Sequence, residues 1–84
     1  AKPFEAVADA DRLTEMLMMG LRLSEGVSLD RLAAETGKPL TDWIDPSRLD
    51  GLVRHGMLEQ RGPILVATMN GRERLNAVLA RLLG

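Results

Sequence analysis

The sequence predicts a mainly α-helical domain with a small β-hairpin. Apolar residues recur at helical spacing along most of its 84 residues. Ser, Thr or Asp precedes several of these segments and Gly follows them, which is the usual pattern of helix starts and ends. In the last third of the chain, a Gly-Pro pair separates two short apolar runs, as in a hairpin.

The first helix is predicted over roughly residues 9–24, after a loose lead-in over residues 1–8. Asp9 or Asp11 would cap its start, and Gly26 lies just beyond its end. The apolar residues of this helix cover an arc wider than that of a typical surface helix, so it is expected to contact neighbours on more than one side. They are Leu13, Met16, Leu17, Met19, Gly20, Leu21 and Leu23.

Gly20 lies inside this apolar arc. Glycine costs about 1 kcal/mol relative to alanine inside a helix, chiefly because it loses more backbone entropy. A close approach of another backbone would offset that cost. The sequence therefore predicts that the first helix crosses a neighbouring segment at Gly20.

The second helix is predicted over Leu29–Thr36, with Ser28 as its N-cap and Gly37 at the position where helices commonly end. Val27, between two turn-forming segments, is expected to form a very short strand. The segment Leu40–Ile44 that follows fits no single assignment, although its two large apolar residues are expected to be buried.

The third helix is predicted to start at Asp45-Pro46, because Asp is a good N-cap and Pro is tolerated in the first turn. Its inner face is expected to hold Leu49, Leu52 and Val53. Gly56 and Met57 are placed for a Schellman turn at its end.

The hairpin is predicted over Met57–Ala67, with Gln60–Pro63 as its turn. Thr68 would cap a last helix. The inner face of that helix would hold Leu75, Val78, Leu79 and Leu82. The resulting order is helix, short strand, helix, helix, β-wing and C-terminal helix, so residues 1–84 are expected to form a single winged-helix-like domain, which we expect to be a fragment of a larger protein.

The composition excludes several classes of function. The net charge is −1, which disfavours general binding to polyanions, and the absence of Cys excludes disulfides and thiolate metal sites. No apolar run approaches the ~20 residues of a membrane-spanning helix, and no signal peptide is visible, so a cytoplasmic location is expected. His55 is the only histidine, and no nucleophile or paired carboxylates accompany it. We therefore expect no catalytic, cofactor-binding or metal-binding residue in this chain.

A winged helix also suggests DNA binding through the outward face of its third helix. That face would carry Ser47, Arg48, Gly51, Arg54 and His55. Asp45 and Asp50 lie close to it, and Glu59 opposes Arg61 on the wing, so the face does not form a basic stripe. A DNA-binding domain of a transcription regulator therefore remains the alternative, and a stand-alone interaction module is a third possibility.

Four residues are candidates for contacts with another domain. Phe4 lies in the lead-in with no evident core to join, and Met18 lies on the narrow polar face of the first helix. Arg22 lies at the end of that helix, where it also suits a pair with Glu25 or the backbone. Trp43 is the only Trp, and a place in the core explains it more simply than a binding contact does.

Three segments carry a resemblance to a known family: Met19–Val27, Leu58–Thr68, and Gly71–Asn76 with the closing Val78 and Leu79. The Gly-Leu-Arg-Leu-Ser-Glu-Gly run in the first is the specific part. Together they resemble the C-terminal domain of the oxygen-independent coproporphyrinogen III oxidase (HemN) family, which includes the haem chaperone HemW. The resemblance covers nearly the whole chain. It departs at Met69, where such domains often have Pro.

The resemblance implies a larger parent protein that uses radical S-adenosylmethionine chemistry. Its N-terminal catalytic barrel would hold a [4Fe–4S] cluster on three cysteines and bind S-adenosylmethionine. This chain has no Cys to ligate a cluster. It would instead be a non-catalytic accessory domain that docks on the barrel and shapes access of the substrate, with porphyrin or haem near the interface. The resemblance leaves open whether the parent is an oxidoreductase or a haem chaperone.

Overall fold

The computed structural model describes the backbone of residues 3–84 and the side chains of residues 8–84. Within this part, six helices and three strands follow one another: α1 (Pro3–Gly20), β1 (Val27–Ser28), α2 (Leu29–Thr36), α3 (Leu40–Trp43), α4 (Pro46–Arg54), β2 (Leu58–Arg61), β3 (Ile64–Ala67), α5 (Met69–Glu73) and α6 (Leu75–Leu83). The prediction of a mainly α fold with a small β-hairpin is confirmed.

The three strands form one antiparallel sheet in the order β1-β3-β2. Val27 pairs with Leu65, which confirms the predicted short strand. The hairpin turn is tighter than predicted, because Arg61 already pairs with Ile64 and only Gly62 and Pro63 connect the strands. The helices α2 and α4, the hairpin of β2 and β3, and the short strand β1 together give the winged-helix arrangement.

The first helix differs from its predicted bounds at both ends. It begins at Pro3, so residues 3–8 are helical rather than a loose lead-in, and Asp9 and Asp11 lie inside it instead of capping it. Proline is favourable at the first position of a helix, and the Ala-rich segment after it has high helix propensity. The helix ends at Gly20 rather than near residue 24. After Gly20 the chain turns toward β1.

The predicted caps of the two middle helices are confirmed. Ser28 Oγ accepts a hydrogen bond from the Arg31 backbone N–H (3.2 Å) at the start of α2. The Asp45 carboxylate accepts one from the Ser47 N–H (2.9 Å) at the start of α4. The Met57 N–H donates to the Leu52 carbonyl oxygen (2.9 Å), which closes the Schellman turn.

The structure resolves one open prediction and corrects another close to α4. The segment that fitted no assignment forms the short helix α3, in which Leu40 is buried. Trp43 and Ile44 are only partly buried and pack against the core. Val53 is expected on the inner face of α4 but is 39% exposed. Leu49 and Leu52 form the buried side of that helix.

The predicted last helix is two helices. Thr68 Oγ1 accepts a hydrogen bond from the Gly71 N–H (3.1 Å) and caps α5. Arg74 then adopts φ −120° and ψ 33°, outside helical geometry, and α6 begins after it. This break lets α5 pack beside β3 while α6 packs across α1 and α4.

Leucines from helices, strands and the turn after α1 form the centre of the core. The fully buried leucines are Leu17, Leu21, Leu32, Leu58, Leu65 and Leu82. Leu17 and Leu21 show no exposed surface, so the stretch around the end of α1 is the centre of the fold. In the described part of the chain, no helix combines the length and apolar character that crossing a bilayer requires.

Candidate functional site

An open groove of about 580 Å³ lies where the end of α1 meets β1 and the start of α2. Its apolar lining is formed by Met16, Met19, Leu23, Val27 and Ile64, with Gly20 and Gly26 between them. Charged side chains from α1, α2 and the α1–β1 turn also line it: Arg12, Glu15, Glu25, Arg31 and Glu35. The groove therefore combines apolar side chains with charged side chains of both signs.

Two large apolar side chains of the groove are uncovered. Met19 is 63% exposed and Leu23 is 53% exposed. Both belong to the wide apolar arc of the first helix, which was expected to pack against neighbours on more than one side. The helix does contact α2, α6 and β1, but these neighbours cover the side that holds Leu13 and Leu17, while Leu21 and Leu23 lie beyond its end at Gly20. The remainder of the arc faces the groove.

Glycines shape the base of the groove. A Cβ atom on Gly20 would overlap the Val27 side chain, which confirms the predicted close crossing. Gly26 has φ 76°, a conformation that favours glycine, and a Cβ atom there would overlap the Leu65 carbonyl oxygen. The turn between α1 and β1 can therefore lie directly against the sheet.

An ion-pair cluster lines the groove. Arg12 Nη2 lies 2.6 Å from Glu35 Oε1, and Arg31 Nε lies 3.0 Å from Glu35 Oε2. The hydrogen bond from Arg12 is the main cause that lowers the pKa of Glu35, and the same bond raises the pKa of Arg12. Because Arg12 lies on α1 and its partner on α2, this cluster links the two helices that flank the groove.

Three of the four candidate contact residues can be placed. Met18 is 40% exposed on α1, and Arg22 is exposed in the turn after it. Trp43 has a structural role: its indole Nε1 donates to Thr36 Oγ1 (3.0 Å), and Lys38 Nζ lies 4.1 Å from its ring centre. The side chain of Phe4 lies outside the described residues.

Sequence reasoning missed Met19 and Leu23 as surface residues. The signal was present in the width of the apolar arc, which exceeds what the neighbours in so small a fold cover. That width predicts extra packing within the domain, but it equally indicates a surface that another molecule or domain covers.

The surface that would contact DNA is partly engaged within the domain. Arg48 Nη1 donates to the Arg81 carbonyl oxygen (3.4 Å) on α6, and Arg61 pairs with Glu59 (2.7 Å) on the wing. Arg54 and His55 are exposed at the end of α4. This arrangement gives no continuous basic stripe along the described residues of α4 and the wing.

Among the described side chains, no three of the types His, Cys, Asp and Glu come close enough together to hold a metal ion. The family model described as the HemN C-terminal domain matches residues 7–74, which is more than half of the chain. The match includes the groove and the wing and ends before α6. No curated protein and no solved structure matches the chain.

Proposed function

Because the chain belongs to the HemN C-terminal domain family, we propose that it is the non-catalytic accessory domain of an oxygen-independent coproporphyrinogen III oxidase-like radical S-adenosylmethionine protein. In this proposal the domain docks on the catalytic barrel of the same parent chain. Docked there, it shapes the access of porphyrin or haem to the reaction site. The parent would act in the cytoplasm, either as an oxidoreductase or as a haem chaperone.

The observation that carries this proposal is the exposed pair Met19 and Leu23 inside the family-matching segment. Single exposed apolar residues are ordinary on protein surfaces, but a cluster that lines one groove is typical of an interaction site. Met16 and Ile64 extend the same apolar surface toward the core. A neighbouring domain that covered this groove would remove the exposed apolar area from water.

The chemistry of the parent would reside outside these 84 residues. A [4Fe–4S] cluster needs thiolate ligands, and this chain contains no Cys, so its residues do not fit a cluster. The contribution of this domain would be positional, because a domain that closes over a reaction cleft excludes water and orients the substrate.

Deletion of residues 1–84 from the full-length parent tests this proposal. We expect the truncated protein to keep its cluster, measured by iron and sulfide content, and to bind S-adenosylmethionine normally. Substrate turnover, or haem transfer for a chaperone, should fall strongly, since the access path loses one wall. Adding the separate 84-residue chain should restore part of the activity. Unchanged turnover after deletion would contradict the proposal.

A further inference from the structure

Resting on the proposed docking, we infer that the groove of α1, β1 and α2 is the docking face, and that it receives a segment of the catalytic barrel that presents an aliphatic side chain beside a basic one. The aliphatic side chain would contact Met19 and Leu23. The basic side chain would face Glu25. The inference thus assigns both the surface and the chemistry of its partner.

The apolar half of the inference rests on the shape and composition of the groove. Met19 and Leu23 both line it, and each exposes more than half of its surface. Methionine has a flexible, polarizable side chain and adapts to the shape of a partner. At Gly20 and Gly26 the chain packs directly against Val27 and β3, because a Cβ atom at either position would overlap these neighbours. An aliphatic side chain inserted beside this packed surface would contact Met19 and Leu23.

The basic half of the inference rests on charge. The groove is lined by two arginines and three glutamates, a net formal charge of −1. Both arginines pair with Glu35, and Arg12 also lies 3.9 Å from Glu15 Oε1, so two arginines and two glutamates balance one another in charge. Glu25, two residues after Leu23 in the chain, also lines the groove and takes part in none of the ion pairs among the described side chains. A partner with a basic residue that faces Glu25 would be electrostatically complementary.

The same charges disfavour the other occupants. A symmetric pair of these chains would place two grooves of net negative charge against each other, because a two-fold interface places the same patch on both sides. A small-molecule site normally has several polar groups that converge on the ligand. Here Arg12 and Arg31 instead bond to a glutamate of the domain itself. A peptide segment of the parent is therefore the occupant that the groove fits best.

The first experiment identifies the occupant by cross-linking in the full-length parent protein. A photo-reactive benzophenone amino acid replaces Met19 in one variant and Met69 in the matched control. Met69 is 70% exposed on α5 and does not line the groove. We expect position 19, but not position 69, to cross-link to a barrel peptide that contains an aliphatic residue next to Lys or Arg.

The second experiment measures the contribution of the contact. Met19→Lys and Leu23→Lys should raise amide hydrogen exchange in residues 19–27 of the parent by about tenfold, because each change removes an anchor worth about 1.4 kcal/mol. Glu25→Lys should have the same effect, and Met69→Lys should have none. In the separate 84-residue chain, all four variants should unfold at the wild-type urea concentration, which shows that the fold is intact.

The outcomes separate this inference from the proposed function. Cross-links from position 19 to a second copy of the chain, or equal yields at positions 19 and 69, would overturn the inference. A cross-link to the barrel from position 69 alone would also overturn it, but would leave the accessory function in place. A parent gene that encodes no cluster-binding barrel would remove the proposed function itself.

Discussion

At Gly20, α1 lies directly against β1. A Cβ atom there would overlap the Val27 side chain, which is buried and belongs to β1. Valine is branched at Cβ and has little freedom to move aside. The fold thus accepts the entropic cost of a glycine in the last turn of a helix because the crossing leaves no room for a methyl group.

We predict that Gly20→Ala lowers the free energy of unfolding by about 1–3 kcal/mol, because overpacking outweighs the gain in helix propensity. Gly51→Ala is the matched control: nothing lies within 4 Å of a Cβ atom at that position in α4, so this change should stabilise the protein by up to about 1 kcal/mol. Urea unfolding of the 84-residue chain measures both changes.

A double-mutant cycle identifies the cause of the Gly20 effect. Val27→Ala removes the atoms that a Cβ at position 20 would overlap, so Gly20→Ala should cost much less in that background. An equal cost in both backgrounds would show that the crossing with Val27 is not the source of the strain.

At the scale of elements, α1 and α2 are held together by apolar packing and by the cluster of Arg12, Arg31 and Glu35. The two arginines lie on different helices and share one carboxylate. These side chains are partly exposed, so the cluster is screened by solvent and salt. Its larger role is to fix the relative position of the helices that flank the groove.

We predict a pH-dependent contribution from Glu35. Its pKa in the folded state lies below the ordinary value of 4.5, chiefly because of the hydrogen bond from Arg12. A carboxylate with a lowered pKa stabilises the fold above its unfolded pKa, and that contribution is lost as the pH falls through the folded value. The melting temperature of wild type should therefore exceed that of Glu35→Gln at pH 7, and the difference should shrink below about pH 4.5.

Salt provides the control for this pH effect. In about 1 M NaCl the Debye length falls to about 3 Å, so the difference between wild type and Glu35→Gln at pH 7 should become smaller. A difference that is independent of both pH and salt would show that Glu35 acts through packing instead of charge.

At the scale of the whole molecule, α6 completes the core although it lies beyond the family match, which ends at residue 74. Val78, Leu79 and Leu82 are buried where α6 packs across α1 and α4. Arg48 of α4 also donates to a carbonyl oxygen near the end of α6. The family-matching region is thus closed on one side by a helix that the match does not include.

We predict that Leu82→Ala lowers the free energy of unfolding by about 2–5 kcal/mol, because it removes a fully buried side chain and leaves a cavity. Leu83→Ala is the matched control, since that neighbouring leucine is only partly buried against the core, and its cost should be clearly smaller. Chemical unfolding of both variants checks the prediction. Equal losses would show that α6 does not pack with Leu82 inward.

Much of the fold follows from local sequence. Ser28, Asp45 and Thr68 start helices as predicted, because a side-chain oxygen bonds to backbone N–H groups two or three residues away. Glycines at the ends of α2 and α4 adopt the positive φ values that helix ends favour. These interactions involve residues close in sequence, so composition and spacing are enough to predict them.

Other features depend on neighbours that are distant in sequence. Apolar spacing alone did not distinguish buried Leu21 from exposed Leu23, since both lie in the same apolar arc. The groove exists because α1 ends at Gly20 and crosses β1 there. The division of the last predicted helix at Arg74 likewise follows from its two separate packing partners.

The sequence by itself determined the class of fold, the helix caps, the hairpin and the family, because each depends on short-range patterns. Only the tertiary structure decided which apolar residues remain uncovered and which charges flank them. Burial is a property of the packed molecule: a side chain leaves water only if another element covers it. The exposed Met19 and Leu23, the residues on which the proposed docking depends, therefore became visible only when the elements were assembled.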